Sequence, residues 1–208
     1  MRFGVKYKVE AYDRDGKKVA SCSKTILRGE GSFVANFAKA LYAHFAKTSV
    51  EITKTDGTTA TYYEGYGAYS GYSDGVHPMF NLAGDNDDTY GIVVGSGSTA
   101  VSPNDYALES QIPHGTSAGQ LDYEACEAEP VSISGNRSEF KLRRQFIEKS
   151  GNAITVREIG IYVRQFIRWN NSTKAKYPMM VARDVLSSPI TVPAYGSLLV
   201  EYTIYVEA

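Results

Sequence analysis

Cysteine is scarce in this chain. Cys22 and Cys126, the two present in 208 residues, are too few and too far apart for a disulfide framework or a metal-ligand cluster. Histidine is as sparse: His44, His77 and His114 are scattered, with no paired-carboxylate or Cys/His constellation beside them. A basic excess is missing too, since 22 Lys+Arg face 23 Asp+Glu and the formal net charge is −1. General nucleic-acid binding, which needs positive charge against phosphate, is therefore not expected. No apolar run approaches the ~18 residues of a membrane-crossing helix, so no membrane span is expected. The opening residues MRFGVKYKVEAY alternate charged and apolar side chains and hold no signal-peptide core. Synthesis and folding in a cytoplasm, with two free thiols or at most one bridge, is the expectation.

What the chain does have is tyrosine, 16 against 8 Phe and 1 Trp. Tyrosine suits β-sheets and half-wet interfaces, because an apolar ring ends in a polar tip. With 43% hydrophobic and 22% charged residues, disorder throughout the chain is excluded.

Period-2 alternation of Phe3, Val5, Tyr7, Val9 and Ala11 predicts a strand, and Asp13 to Gly16 a hairpin turn into a second strand over 18–27. Ser32 is placed to cap a helix in which Phe33, Phe37, Leu41 and Phe45 recur every four residues. That stripe reads as core, packed on the first hairpin. A second hairpin turns at Asp56-Gly57. Residues 1–63 are thus expected as a ββαββ unit, either separate or packed into a single domain with residues 90–208.

Residues 64–89 change character, with Gly65, Gly67, Gly71, Gly75 and Gly84 interleaved with Tyr66, Tyr69 and Tyr72. A long loop of this kind reads as an interaction arm. Tyr90 to Ile112 then runs from an apolar strand, through a Gly/Ser/Thr turn and Ser102-Pro103-Asn104-Asp105, to an expected short helix over 106–112. Strands are predicted over 123–134, 139–148, 154–166 (kinked or bulged at Gly160), 179–186 and 197–207, with 168–176 as a polar loop. The fold class expected is mainly β with a small α component, an antiparallel β-sandwich over 90–208.

Four motifs are weak. Gly95 to Ala100 matches a relaxed dinucleotide fingerprint, but Val101, Ser102 and Pro103 precede any helical signal. Gly71-Tyr72-Ser73-Asp74-Gly75 matches the nucleophile-elbow pattern without its strand and helix. Asp85-Asn86-Asp87-Asp88 lacks the later ligands of a calcium loop. Lys141, Arg143, Arg144, Arg157, Arg164 and Arg168 read as a stripe on one sheet face, either solvated or an ion-paired subunit interface, rather than as a nucleic-acid contact.

Gly95, Gly97, Thr99, Pro103, Asp105 and Leu108, then Val192, Gly196, Leu199 and Tyr202, form a spaced pattern. It resembles a group of virion structural proteins of tailed bacteriophages, found among tail, neck and baseplate components, over about residues 90–208. The resemblance implies a non-enzymatic virion protein whose partners are copies of itself and neighbouring virion proteins. It implies no cofactor, metal or small-molecule substrate. Loop aromatics are the expected contact residues: Tyr66, Tyr69, Tyr72, Tyr90 and Trp169. A carbohydrate- or receptor-binding adhesin module and a capsid-associated decoration or head-fibre protein are the alternatives.

Overall fold

The computed structural model describes residues 2–26, 32–62, 76–169 and 172–208, and all side chains among them except those of 2, 76–78, 80, 166–169 and 172–176. Eleven strands and one helix are described. They are β1 (Arg2–Tyr12), β2 (Lys18–Ile26), α1 (Ala35–Ala46), β3 (Val50–Thr53), β4 (Thr59–Tyr62) and β5 (Val76–Phe80). Next come β6 (Gly91–Gly95), β7 (Asp122–Ser134), β8 (Arg137–Ile147), β9 (Ile154–Trp169), β10 (Ser172–Val192) and β11 (Ser197–Glu207). The fold is mainly β with a small α component, as the alternation predicts.

One sheet has the order β2-β1-β11-β8-β7 and is antiparallel throughout. Its inner face carries Val5, Tyr7 and Val9 of β1 and Leu198, Val200 and Tyr202 of β11, all buried. Its outer face is laced with ion pairs, Lys8–Glu10 at 2.8 Å and Arg143–Glu201 at 2.6 Å among them. The second sheet is built on β9, which pairs β10 on one side and both β6 and β5 on the other. β10 packs against β1 and β2, which joins the two sheets face to face. β9 does not alternate: residues 158–163 are all buried, because the loop over 96–112 covers the face that the first sheet leaves open. The β3–β4 hairpin is a small separate sheet beside α1.

The first hairpin does not stand in a sheet of its own. β1 lies between β2 and β11, in register from Arg2↔Glu207 to Tyr12↔Ser197. Pairing across nearly the whole chain is invisible to local patterns, which stop at the hairpin. α1 packs mainly on β10 and β3, and meets the first hairpin where Phe37 stacks on Phe3.

The expected helix cap is corrected. α1 begins after Val34 with no side-chain cap, and the Ser32 hydroxyl donates to Asp184 Oδ1 at 2.7 Å instead. The aromatic stripe is corrected too: the buried side of α1 is Asn36, Ala40 and Ala43, and Leu41 and Phe45 are exposed. Small residues let the helix lie close to β10 and β3; Phe33 and Phe37 pack half-buried against the core, and the far half of the stripe, Leu41 and Phe45, is left outside. Residues 106–112 form no helix but bends and a bridge, because distant side chains hold their N–H groups. The expected polar loop at 168–176 is largely strand, Ser172 pairing Trp169 and Lys176 pairing Phe166. The irregularity expected at Gly160 falls on the facing strand, between Met180 and Ala182.

Cys22 pairs Val9, Val9 pairs Val200, Val200 pairs Arg144, and Arg144 pairs Cys126. That single row places the two cysteines on opposite edges of a five-stranded sheet, about 19 Å apart at the usual strand spacing. A disulfide needs Cα atoms within about 7 Å, so the two thiols stay free, and both are buried. Ellman's reagent is therefore expected to react with neither thiol in the native protein and with both in urea. Dithiothreitol should leave the melting temperature unchanged. One rapid native equivalent would contradict the burial.

Candidate assembly surface

Arg183 and Glu158, both fully or almost fully buried, organise the loop over residues 95–112. Arg183 Nε donates to Glu158 Oε2 at 2.9 Å and Nη1 donates to Asp105 Oδ2 at 2.8 Å. Its Nη2 reaches the Thr99 carbonyl and hydroxyl, each at 3.2 Å. Glu158 accepts from the backbone N–H groups of Gly97 (3.1 Å), Glu109 (3.1 Å) and Ser110 (2.8 Å). Glu109 in turn accepts from the N–H groups of Ser98 and Thr99. Burial pulls the Arg183 guanidinium down, but hydrogen bonds to Asp105 and Glu158 outweigh it and hold it above the usual arginine value.

Gly97 is there for space. A Cβ on it would stand 2.5 Å from both Glu109 Cβ and Glu158 Oε1. A Cβ on Gly160 would stand 3.0 Å from the Leu108 side chain, which covers that glycine. Gly97, Thr99, Asp105 and Leu108 thus converge on one clamp. The glycine-rich turn binds a buried carboxylate of its own chain, not a dinucleotide phosphate.

Arg144 is a second clamp, made without a carboxylate. Nε donates to Glu124 O, Nη1 to Tyr90 O and Ile92 O, and Nη2 to Gly84 O and Asp87 O, at 2.7–3.2 Å. Burial holds its pKa below the usual arginine value. The acidic turn at 85–88 closes on backbone donors: Asp85 accepts from Ala125 N, Asp87 from Thr89, and Asp88 from His114 N. Among the described residues no His/Cys/Asp/Glu cluster has metal-binding geometry, and no helix is long and apolar enough to cross a membrane.

The expected basic stripe is dispersed. Lys141 and Arg143 face outward and pair with Glu129 and Glu201. Arg144 points to the opposite face, into the core. Arg164 stacks 3.8 Å over the Tyr90 ring and donates to its hydroxyl at 2.8 Å.

Asp184 sits between the sheets, accepting from Ser32 Oγ at 2.7 Å and Tyr202 OH at 2.9 Å. Burial raises its pKa to about 6, against those two hydrogen bonds and the charge of Lys24. Tyr7, whose ring meets Tyr202 edge-on, completes the wall. A carboxyl with a raised folded-state pKa stabilises fully below its unfolded value near 4, and that contribution disappears as pH rises through 6. Glu10, held at about 2 by Lys8 and Lys18, works the other way and is lost as pH falls below about 4.5. Stability is therefore expected to peak between about pH 4 and 5 and to fall from there to pH 6. Asp184→Asn should raise stability at pH 8 by about 1–3 kcal/mol and flatten the fall above pH 5. Urea titrations at pH 5 and pH 8 read this, and equal losses in both proteins would refute it.

The surface carries apolar side chains in a continuous band. Phe45 is 87% exposed and Tyr42 60% on α1. Phe33 and Phe37 stack with centroids 3.9 Å apart, and Phe3 (51% exposed) stacks on Phe33 at 5.5 Å. From Phe3 the band continues across the first sheet, through Val206 to Ile133, 76% exposed. Contiguous exposed apolar surface of this extent marks an interaction site more often than a bare face.

Of the expected contact residues, Tyr66, Tyr69 and Tyr72 lie outside the described residues, as does Ser73. Trp169 ends β9, and its side chain lies outside the described ones. Tyr90 is corrected: it is buried, its hydroxyl 3.3 Å from Leu82 O, and offers no exposed ring. The expected arm at 64–89 includes β5, which pairs β9. Sequence reasoning missed the band because it assigned the helical Phe stripe to the core. It missed Arg183 and Glu158 because they stand in strands 25 residues apart. The one signal in the sequence was an Arg-Asp pair inside the apolar run Met179 to Leu186.

No family model, curated protein or solved structure matches this chain.

Proposed function

We propose that this chain is a non-enzymatic structural component of a tailed-phage particle, working through subunit–subunit contact. The observation that carries the proposal is the exposed apolar band running from Phe45 through Phe3 to Ile133. The buried ionic groups point the same way. Arg183, Glu158 and Arg144 are spent on fixing loops of this chain, which gives a rigid body suited to repeated packing. The near-zero net charge lets like subunits approach without strong repulsion.

Tail, neck, baseplate and capsid-associated positions all fit contact of this kind. The position is assigned by the symmetry of the assembly. Light scattering and electron microscopy of the purified chain at about 1–100 μM test the reading, the concentration range over which standard interfaces form. Discrete multi-subunit particles are expected. A strict monomer over that range, together with binding on a glycan array, would replace the proposal with the adhesin module.

A further inference from the structure

The apolar band has two parts of different shape. α1 supplies a ridge, Leu41, Tyr42 and Phe45, on the side away from its buried residues Asn36, Ala40 and Ala43. The first sheet supplies a flat shelf. Phe3 pairs Val206, Val206 pairs Ser138, and Ser138 pairs Ile133, so these four side chains form one row across four strands. Val131, 66% exposed, lies two residues from Ile133 along β7. The row belongs to the core-bearing face, two residues beyond buried Val5, where the second sheet no longer covers it.

Resting on the proposed assembly function, we infer that the occupant of this surface is a second copy of this chain, docked head to tail. The α1 ridge of one copy sits on the β1–β11–β8–β7 shelf of the next. Shape is the first reason: an apolar helix stripe on an apolar sheet face is the pairing that layered folds use internally. Area is the second. From their exposed fractions, ridge and shelf each offer on the order of 400 Å², a matched pair. Together they supply about half of the ~1,600 Å² of a standard interface, close to its usual non-polar share of ~57%. Charge is the third, because Ser138 alone interrupts the row, which among the described residues carries no charged side chain to be desolvated. A contact between two different patches leaves one of each free and propagates into a ring or a filament.

The test uses the full chain and two variants, Phe45→Glu on the ridge and Ile133→Lys on the shelf, studied by sedimentation and light scattering. Both positions are exposed, so circular dichroism and melting temperature should match the wild type. Each variant alone is expected to weaken self-association about 30-fold or more, the effect of losing an interface anchor. An equimolar mixture should form a capped dimer, since the ridge of Ile133→Lys meets the intact shelf of Phe45→Glu. If the wild type assembles and both variants assemble equally well, this surface is wrong and the assembly reading stands. If the variants weaken assembly but their mixture does not pair, the head-to-tail geometry is overturned. A wild type that never associates overturns the inference, and the assembly reading falls with it only if the chain also binds on the glycan array.

Discussion

Arg183→Met is expected to cost about 3–5 kcal/mol of folding stability, the usual penalty for removing one partner of a buried ion pair. Methionine fills much of the volume but leaves the Glu158 carboxyl buried with no cation beside it. Asp105 loses its 2.8 Å contact, and Thr99 loses both of its own. The Glu158 and Glu109 carboxylates, and the Tyr162 hydroxyl on Leu108 N, then hold the loop over 95–112 without their cation. Chemical denaturation reads the loss directly. Because so large a change can prevent folding, Glu158→Gln and the double variant Arg183→Met/Glu158→Gln are measured beside it. Glutamine keeps an oxygen for the backbone N–H groups of Gly97 and Ser110 and removes the charge. The double variant should therefore be less destabilised than the sum of the two, with a coupling of about 0.5–3 kcal/mol. Strict additivity would mean that the two side chains do not act as a unit.

The next largest loss is expected at Arg144, for a different reason. Its guanidinium has five N–H donors, and each meets a backbone carbonyl. Arg144→Lys keeps the charge but cannot reproduce the planar fork, and orphans at least two of the five acceptors. Each buried polar group left unsatisfied costs about 1–3 kcal/mol, so a loss of at least about 2 kcal/mol is expected. Arg144→Met should be at least as damaging. Amide exchange would separate this clamp from the first: protection should drop at residues 84–92 in the lysine variant and near 97–110 in the Arg183 variant. Uniform loss of protection in both would mean that neither loop has a clamp of its own.

The parts of the fold readable from sequence are those where one strand face differs from the other. β11 is the clearest, with Leu198, Val200 and Tyr202 buried and Leu199 and Glu201 less so. Alternation fails in β9, where both faces are covered, and a strand covered on both faces reads only as an apolar run. Ser32 and residues 106–112 failed for a shared cause. Their local hydrogen-bond partners were displaced by side chains far along the chain, Asp184 for the hydroxyl and Glu158 and Tyr162 for the amides. The helical Phe stripe obeyed the expected spacing and still misled. Amphipathic spacing identifies an apolar face, but not whether that face meets the chain's own core or another surface.

The place of β1 also sets the order of events at the ribosome. Val9 has its partner Cys22 available early in synthesis but must wait for Val200 before its other edge is filled. At about 5–20 residues per second that delay is on the order of 10–40 s. During it, β1 and β8 each present an open edge to the same crowded solution. Contacts this distant in sequence also make closure slow in its own right. A chain stopped before residue 197 cannot complete the five-stranded sheet, and so cannot form the shelf on which Val206 stands between Phe3 and Ser138. Completion of the subunit and competence to join a neighbour thus arrive with the same strand.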